Sequence, residues 1–269
     1  MPELPDVENF KRQLDETSLH RAIARVVVRD PGLLDAISAS EFVRRVEGRE
    51  IAASKRFGKH LFLVLSGKLS VSLHFGMNGA LQYFGKSEGE APYERLRFEF
   101  RGGDRLAYLN PRRIGRIGLA EDVASFVAKE RLGPDALDPS FDLAALERAF
   151  SGRRREVKSL LMDQAVVAGI GNIYSDEILF AAGIHPKAES ERLGPEERRR
   201  LFDSIKSVLR TAIEKGAGAE HSHGRLPPSF LLPQRKKGGR CPRCGSELQT
   251  LKFSGRTAYF CPRCQKKAR

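Results

Sequence analysis

The chain has 269 residues, 47 lysines and arginines against 34 acids, a formal net charge of +13 and 41% hydrophobic side chains. That apolar fraction excludes wholesale disorder. Its longest apolar runs, such as Leu61–Leu65, stop far short of the roughly 20 residues a membrane helix needs, so no membrane partner is expected. The surplus of positive charge favours a polyanion as partner, nucleic acid first among them.

The opening MPELPDVENF carries Glu3, Asp6 and Glu8 where a secretion signal has a basic and then an apolar region, so an unexported, cytoplasmic protein is expected. Pro2 suits a first helical turn, and Leu4, Val7, Phe10 and Leu14 form one apolar stripe, which predicts a leading helix. From about Ala22 to Leu119 the pattern is that of strands. Ser70–Phe75 and Leu96–Arg101 alternate strictly, with turn signals at Ser66-Gly67, Asn78-Gly79 and Gly102-Gly103-Asp104, and short strands at this spacing predict a β-sandwich or barrel. Two segments within it stand out. His74-Phe75-Gly76-Met77-Asn78-Gly79 runs from a strand into a glycine-rich loop, where Met77 taken singly reads as a core residue. Asn110-Pro111-Arg112-Arg113-Ile114-Gly115-Arg116 sets three arginines on a loop after a strand.

From about Phe141 the period becomes helical: Leu143–Phe150, two apolar pieces within Val157–Gly183, and Glu196–Lys215 with Pro195 before it and Gly216 after. The break at Gly169-Ile170-Gly171-Asn172 offers backbone amides at a helix start, an arrangement suited to a phosphate or equally to a tight helix crossing. Gly216–Gly239 reads as a loop.

All four cysteines lie near the C-terminal end: Cys241-x2-Cys244, sixteen residues, Cys261-x2-Cys264. Each knuckle brings two thiolates to one tetrahedral ion, which predicts one structural zinc with no open coordination position. Between the knuckles, Leu248–Phe253 and Thr257–Phe260 read as a hairpin joined by Ser254-Gly255-Arg256, which puts Arg256 at its tip. From Arg235 onward there are eleven lysines and arginines and one acid, Glu247, so most of the excess charge sits on this module.

Together these segments resemble the formamidopyrimidine-DNA glycosylase/endonuclease VIII family of base-excision repair enzymes. The resemblance rests on Pro2-Glu3-Leu4-Pro5, Lys59, the His74–Gly79 loop, Asn110-Pro111-Arg112-Arg113 against the family's D-P-R-R, Gly169–Tyr174 and the cysteine hairpin, in one order along the chain. It implies an α+β multidomain protein: an N-terminal β-sandwich with its leading helix over 1–130, a helical helix–two-turn–helix domain over 131–232 and a zinc-ribbon hairpin over 233–269. It implies a bifunctional glycosylase/AP lyase acting on oxidised bases in damaged double-stranded DNA, associated with the nucleoid and working as a monomer around the groove. Once Met1 is removed, Pro2 would be the nucleophile, with Glu3 as general acid/base, Lys59 contacting the phosphate or assisting proton transfer during elimination, and Arg256 on a flanking phosphate. Arg153, Lys158, Asn172 and Tyr174, with Tyr93, Arg112 and Arg113, would contact DNA, and Met77, Arg112 and Ile114 would fill the space left by a flipped base. Ile114 stands where the family usually has Phe, Tyr93 where many members have His, and Gly216–Arg240 is shorter than the loop that closes over 8-oxoguanine. These departures leave oxidised pyrimidines and ring-opened purines open beside 8-oxoguanine. A family member that only binds abasic or nicked DNA, or an RNA-binding zinc-ribbon protein, are the other readings.

Overall fold

A computed structural model describes residues 1–218, 225–253 and 255–266. Part of the Gly216–Gly239 stretch and Ser254 of the expected hairpin turn lie outside them. The chain packs as two compact units, Met1–Pro2 with Asp6–Arg131 and Glu3–Pro5 with Leu132–Arg269. No described helix is long and apolar enough to cross a membrane.

Helix α1 spans Leu4–Thr17, so Pro2 and Glu3 precede it and Pro5 takes the first-turn position expected of Pro2. Two four-stranded antiparallel sheets form the first unit. One has the order β1(Ile23–Val28)-β6(Glu94–Phe100)-β7(Arg105–Leu109)-β5(Ala80–Phe84), the other β2(Ile51–Phe57)-β3(His60–Leu65)-β4(Leu69–His74)-β8(Arg116–Ala120). Strand β6 buries alternate residues, so Leu96, Phe98 and Phe100 meet Leu61, Leu63, Val71 and Leu73 of the other sheet in one core that α1 closes with Val7 and Leu14. Each such side chain taken from water is worth about 1.5–3 kcal/mol.

Helix α2 (Ala39–Val46) and helix α3 (Val123–Lys129) interrupt or follow the run of strands where the sequence pattern showed none. Ser38 and Asp122 cap them, and α2 buries only Phe42 and Val46, one i,i+4 pair, too short a stripe to register as a period.

The second unit is built on α4 (Leu143–Phe150), α5 (Val157–Met162), α6 (Asn172–Ala182) and α7 (Pro195–Glu214). Leu201, Ile205, Val208, Leu209 and Ala212 of α7 pack on Ile178, Leu179 and Ala182 of α6. The hairpin β9 (Gln249–Phe253) and β10 (Arg256–Phe260) pairs Arg256 with Phe253, which makes Arg256 the first residue of its strand, exposed beside Gly255. Within the stretch read as a loop, Leu226, Leu231 and Leu232 are buried and Leu232–Gln234 makes a 3-10 turn.

Candidate active site and nucleic-acid interface

The break before α6 carries an anion, and that anion belongs to the chain itself. The Glu3 carboxylate accepts the N–H groups of Gly171 (2.7 Å), Ile173 (2.8 Å) and Tyr174 (3.1 Å) at the positive end of α6. Leu4 N–H donates to Gly169 O at 3.0 Å, which clamps the same segment from the other side. A Cβ on Gly171 would lie 2.4 Å from the Glu3 carboxyl carbon, so only glycine admits this approach. Of the two uses open to these amides, a phosphate or a tight helix crossing, neither is the one seen: they hold Glu3. Pro2, one peptide bond away, is buried in the chain that retains Met1.

Lys158 and Tyr174, expected as DNA contacts, have no exposed surface. The Lys158 ammonium spends its three protons on Asn172 O (3.0 Å), Ser175 Oγ (2.6 Å) and Asp176 Oδ1 (2.7 Å), and Tyr174 Oη donates to Ala217 O at 3.5 Å. Burial pulls the Lys158 pKa below its ordinary value against the opposing pull of Asp176. A saturated, buried cation holds an interior together and is corrected here from phosphate ligand to internal partner. Asn172 is half-buried, and its amide donates to Thr257 O at 3.2 Å, next to Arg256. Arg153 and Arg256 are exposed.

In the first unit, Lys59 occupies the two-residue turn between β2 and β3 and is only 5% exposed. His60 packs beside His74 (ring centroids 5.0 Å apart) and edge-on to Phe126 (5.0 Å). Burial, followed by the charges of the other ring, Arg116 and Lys59, holds His60 at about 3; burial, then Lys59 and Arg116, hold His74 at about 4. Both rings are therefore neutral at pH 7. The His74 Nδ1 accepts Gly76 N–H at 3.3 Å, which assigns its proton to Nε2. Each depressed pKa contributes stability that is present above about pH 6.5 and is lost as acid charges the rings. Between pH 7 and 5 the first unit is expected to lose about 1–2 kcal/mol more in the native protein than in His60→Phe, read from thermal melts at each pH.

Met77, Ile114 and Tyr93 are the large apolar side chains exposed to solvent among the described residues, at 37%, 48% and 59%. The singly read core placement of Met77 is thus corrected. Buried polar groups tie the two loops that carry Met77, Arg112 and Ile114. Tyr108 Oη donates to His74 O (2.8 Å), while the Asn110 amide donates to Phe75 O (3.0 Å) and accepts Ile114 N–H (3.3 Å). A Cβ on Gly115 would fall 1.7 Å from Tyr108 Oη. Arg112 Nη1 lies 3.5 Å from Met77 Sδ, and Ile114, two residues beyond Arg112, is exposed as well. Tyr93 and Arg113 adopt φ of 61° and 54°, sparsely populated values for such residues and a frequent mark of functional loops. Arg113 also makes a two-point ion pair with Asp30, at 2.6 and 2.9 Å.

The four cysteine sulfurs lie within 4.8 Å of one another. Cys241–Cys264 and Cys244–Cys261 are separated by 3.8 and 3.5 Å, near the edge of about 3.8 Å that a tetrahedron with Zn–S of about 2.3 Å requires. They fit one structural zinc. A cavity of about 510 Å³ beside Leu146, Phe150, Arg198 and Leu201 contains none of these site residues.

Asp176, Ser175, Glu177 and Arg235 escaped the sequence reading. A signal existed: Ser175-Asp176-Glu177 puts polar groups into an otherwise apolar helix, α6, which is buried on every side.

The model of the formamidopyrimidine-DNA glycosylase N-terminal domain matches residues 1–117, that of the formamidopyrimidine-DNA glycosylase H2TH domain residues 132–223, and that of the zinc finger found in FPG and IleRS residues 238–267. The chain is 39% identical to the formamidopyrimidine-DNA glycosylase of Moorella thermoacetica, over 94% of this chain and 95% of that protein. It is 37% identical to that of Carboxydothermus hydrogenoformans, over 99% and 100%. The Lactococcus lactis Fpg bound to DNA containing N7-benzyl-Fapy-dG superposes with a TM-score of 0.89 at 29% identity, over 99% of this chain and 100% of that one. The same enzyme bound to abasic-site DNA gives 0.87 at 28%, over 98% and 100%.

Proposed function

The chain belongs to the formamidopyrimidine-DNA glycosylase family, and from that premise we propose that it excises oxidised bases from duplex DNA and cleaves the resulting abasic site. The observation that carries this reading is the Glu3 carboxylate held by three amides of α6, because it fixes the residue joined to Pro2.

With Met1 removed, the Pro2 secondary amine attacks C1′ of the damaged nucleotide. The N-glycosidic bond breaks, the base leaves with the bonding pair and takes up a proton, and opening of the sugar at O4′ yields an iminium between Pro2 and C1′. The iminium acidifies the C2′ proton. A base removes that proton, the electrons form the C2′–C3′ double bond, and the 3′ phosphate departs. The reaction stops at this β-elimination, or a second, δ-elimination releases the 5′ phosphate as well. An α-amine, with a reference pKa near 8, supplies free base at neutral pH far more readily than a lysine near 10.4. Glu3 is the acid/base nearest the amine in the chain, and Lys59, held at the β2–β3 turn, supplies positive charge for the departing phosphate. Met77, Arg112 and Ile114 are suited to enter a base stack, since exposed apolar side chains such as Met77 and Ile114 are costly until something covers them. Arg256, Asn172 and Arg153 grip phosphate, with Tyr93 and Arg113 on the DNA backbone. The zinc holds the hairpin and takes no chemical step.

Borohydride trapping on short duplexes tests the reading, using an abasic site, 8-oxoguanine, a formamidopyrimidine or dihydrouracil. Covalent adducts are expected on the abasic duplex and on at least one lesion, and the trapped duplexes name the substrate. No adduct from protein with a verified N-terminal proline would leave a DNA-binding family member without base excision.

A further inference from the structure

Asp176 is the centre of a buried charge cluster that the reaction above does not use. Its Oδ1 accepts Lys158 Nζ at 2.7 Å, and its Oδ2 accepts both Arg235 Nε (2.9 Å) and the Tyr259 N–H of β10 (3.0 Å). Lys158 and Asp176 are inaccessible, and the Arg235 side chain is 15% exposed. Arg235 reaches further, donating from Nη2 to Thr257 O at 2.8 Å, the same carbonyl that accepts the Asn172 amide. Strand β10 is therefore held at Thr257 and at Tyr259, and Thr257 adjoins Arg256. One residue later on α6, Glu177 accepts Leu231 N–H (3.0 Å) and Leu232 N–H (2.8 Å), which anchors the segment leading into Arg235.

Buried ion clusters add little net stability, because the desolvation of each charge offsets most of the attraction; their attested use is to select one register. We propose that Asp176, with Lys158 and Arg235, is a positioning device that sets the hairpin tip against the start of α6, so that Arg256 and Asn172 address one phosphate. The inference rests on the phosphate role given to Arg256 above. Asp176 and Arg235 are positioning residues, acting on DNA only through Arg256, which they set beside Asn172. An apolar contact could slide along the strand. Five directional bonds to a carboxylate and a carbonyl cannot.

The test is a double-mutant cycle on the full zinc-loaded protein, with a duplex bearing a tetrahydrofuran abasic analogue. D176N is expected to keep its zinc and its far-UV circular dichroism. It should weaken binding about tenfold, within the coupling seen between residues that act as one unit, and lower the slope of log Kd against log salt by about one, as R256A does. The double variant D176N/R256A should bind no more weakly than R256A. D176N binding like the native protein, or an effect that adds in full to R256A, overturns the proposal. Should D176N fail to fold, K158M/D176L/R235M keeps the volume without the charges, and native affinity in that protein overturns it equally. Amide exchange at Tyr259 separates the two levels. Faster exchange in D176N supports the anchoring even where R256A binds normally, a result that would remove only the phosphate role of Arg256; unchanged exchange overturns the anchoring itself.

Discussion

Protein that retains Met1, or that carries any N-terminal fusion, is expected to yield no borohydride-trapped adduct on abasic DNA, a loss of at least about 10³-fold. The reason is the nitrogen. As long as a residue precedes Pro2, its nitrogen is a tertiary amide whose lone pair is delocalised into a carbonyl, and it can neither attack C1′ nor form an iminium. Pro2→Gly is a milder lesion, because glycine still offers an α-amine. Its Schiff base can lose the nitrogen proton and become a neutral imine, whereas a proline iminium has no such proton and stays cationic, a better electron sink for loss of the C2′ proton. Trapping and strand cleavage by Pro2→Gly should fall about 10²-fold with DNA binding unchanged. Gel-resolved trapping on one duplex checks both variants. An active fusion would exclude Pro2 as the nucleophile.

Chelation of zinc, or Cys244→Ser, is expected to abolish DNA cleavage while the first unit melts as before. The hairpin has almost no core of its own: Leu248 and the cysteines Cys241 and Cys261 share their cluster with Phe180 and Leu231. A module this small depends on its metal, and zinc contributes about 10–16 kcal/mol of folding free energy in isolated fingers. Without it Thr257 and Tyr259 leave the acceptors and donors of α6, and Arg256 goes with them. The first unit owns a separate core running from Val7 to Ile117, with no ligand from the hairpin. Circular dichroism melts read beside a cleavage assay decide the matter, and undiminished cleavage by metal-free protein would refute the structural role of the ion.

How far the sequence reached varied with the range of the interaction. Strand β6 was legible because alternation is a local consequence of pleat geometry, and Leu143–Phe150 because its helical period is undisturbed. The zinc site was legible because four thiolates at knuckle spacing have few uses besides holding one tetrahedral ion. Helix α2 was not, since eight residues with two buried side chains carry too little period to separate from strand.

The chemistry divides in the same way. Composition and residue order determined that this chain has a sandwich or barrel of short strands, a helical region, a basic hairpin closed by zinc, and a proline and a glutamate at its start, because each follows from neighbours within a few positions. Only tertiary structure decided that the amides at the start of α6 serve Glu3 from 168 to 171 residues away, that Lys158 is an internal cation, and that Arg235 is a partner of Asp176 and not part of a solvated basic run. A charged side chain reads as surface in any local window. Whether it is buried depends on a counter-charge that the fold brings from elsewhere, and no spacing along the chain encodes that meeting.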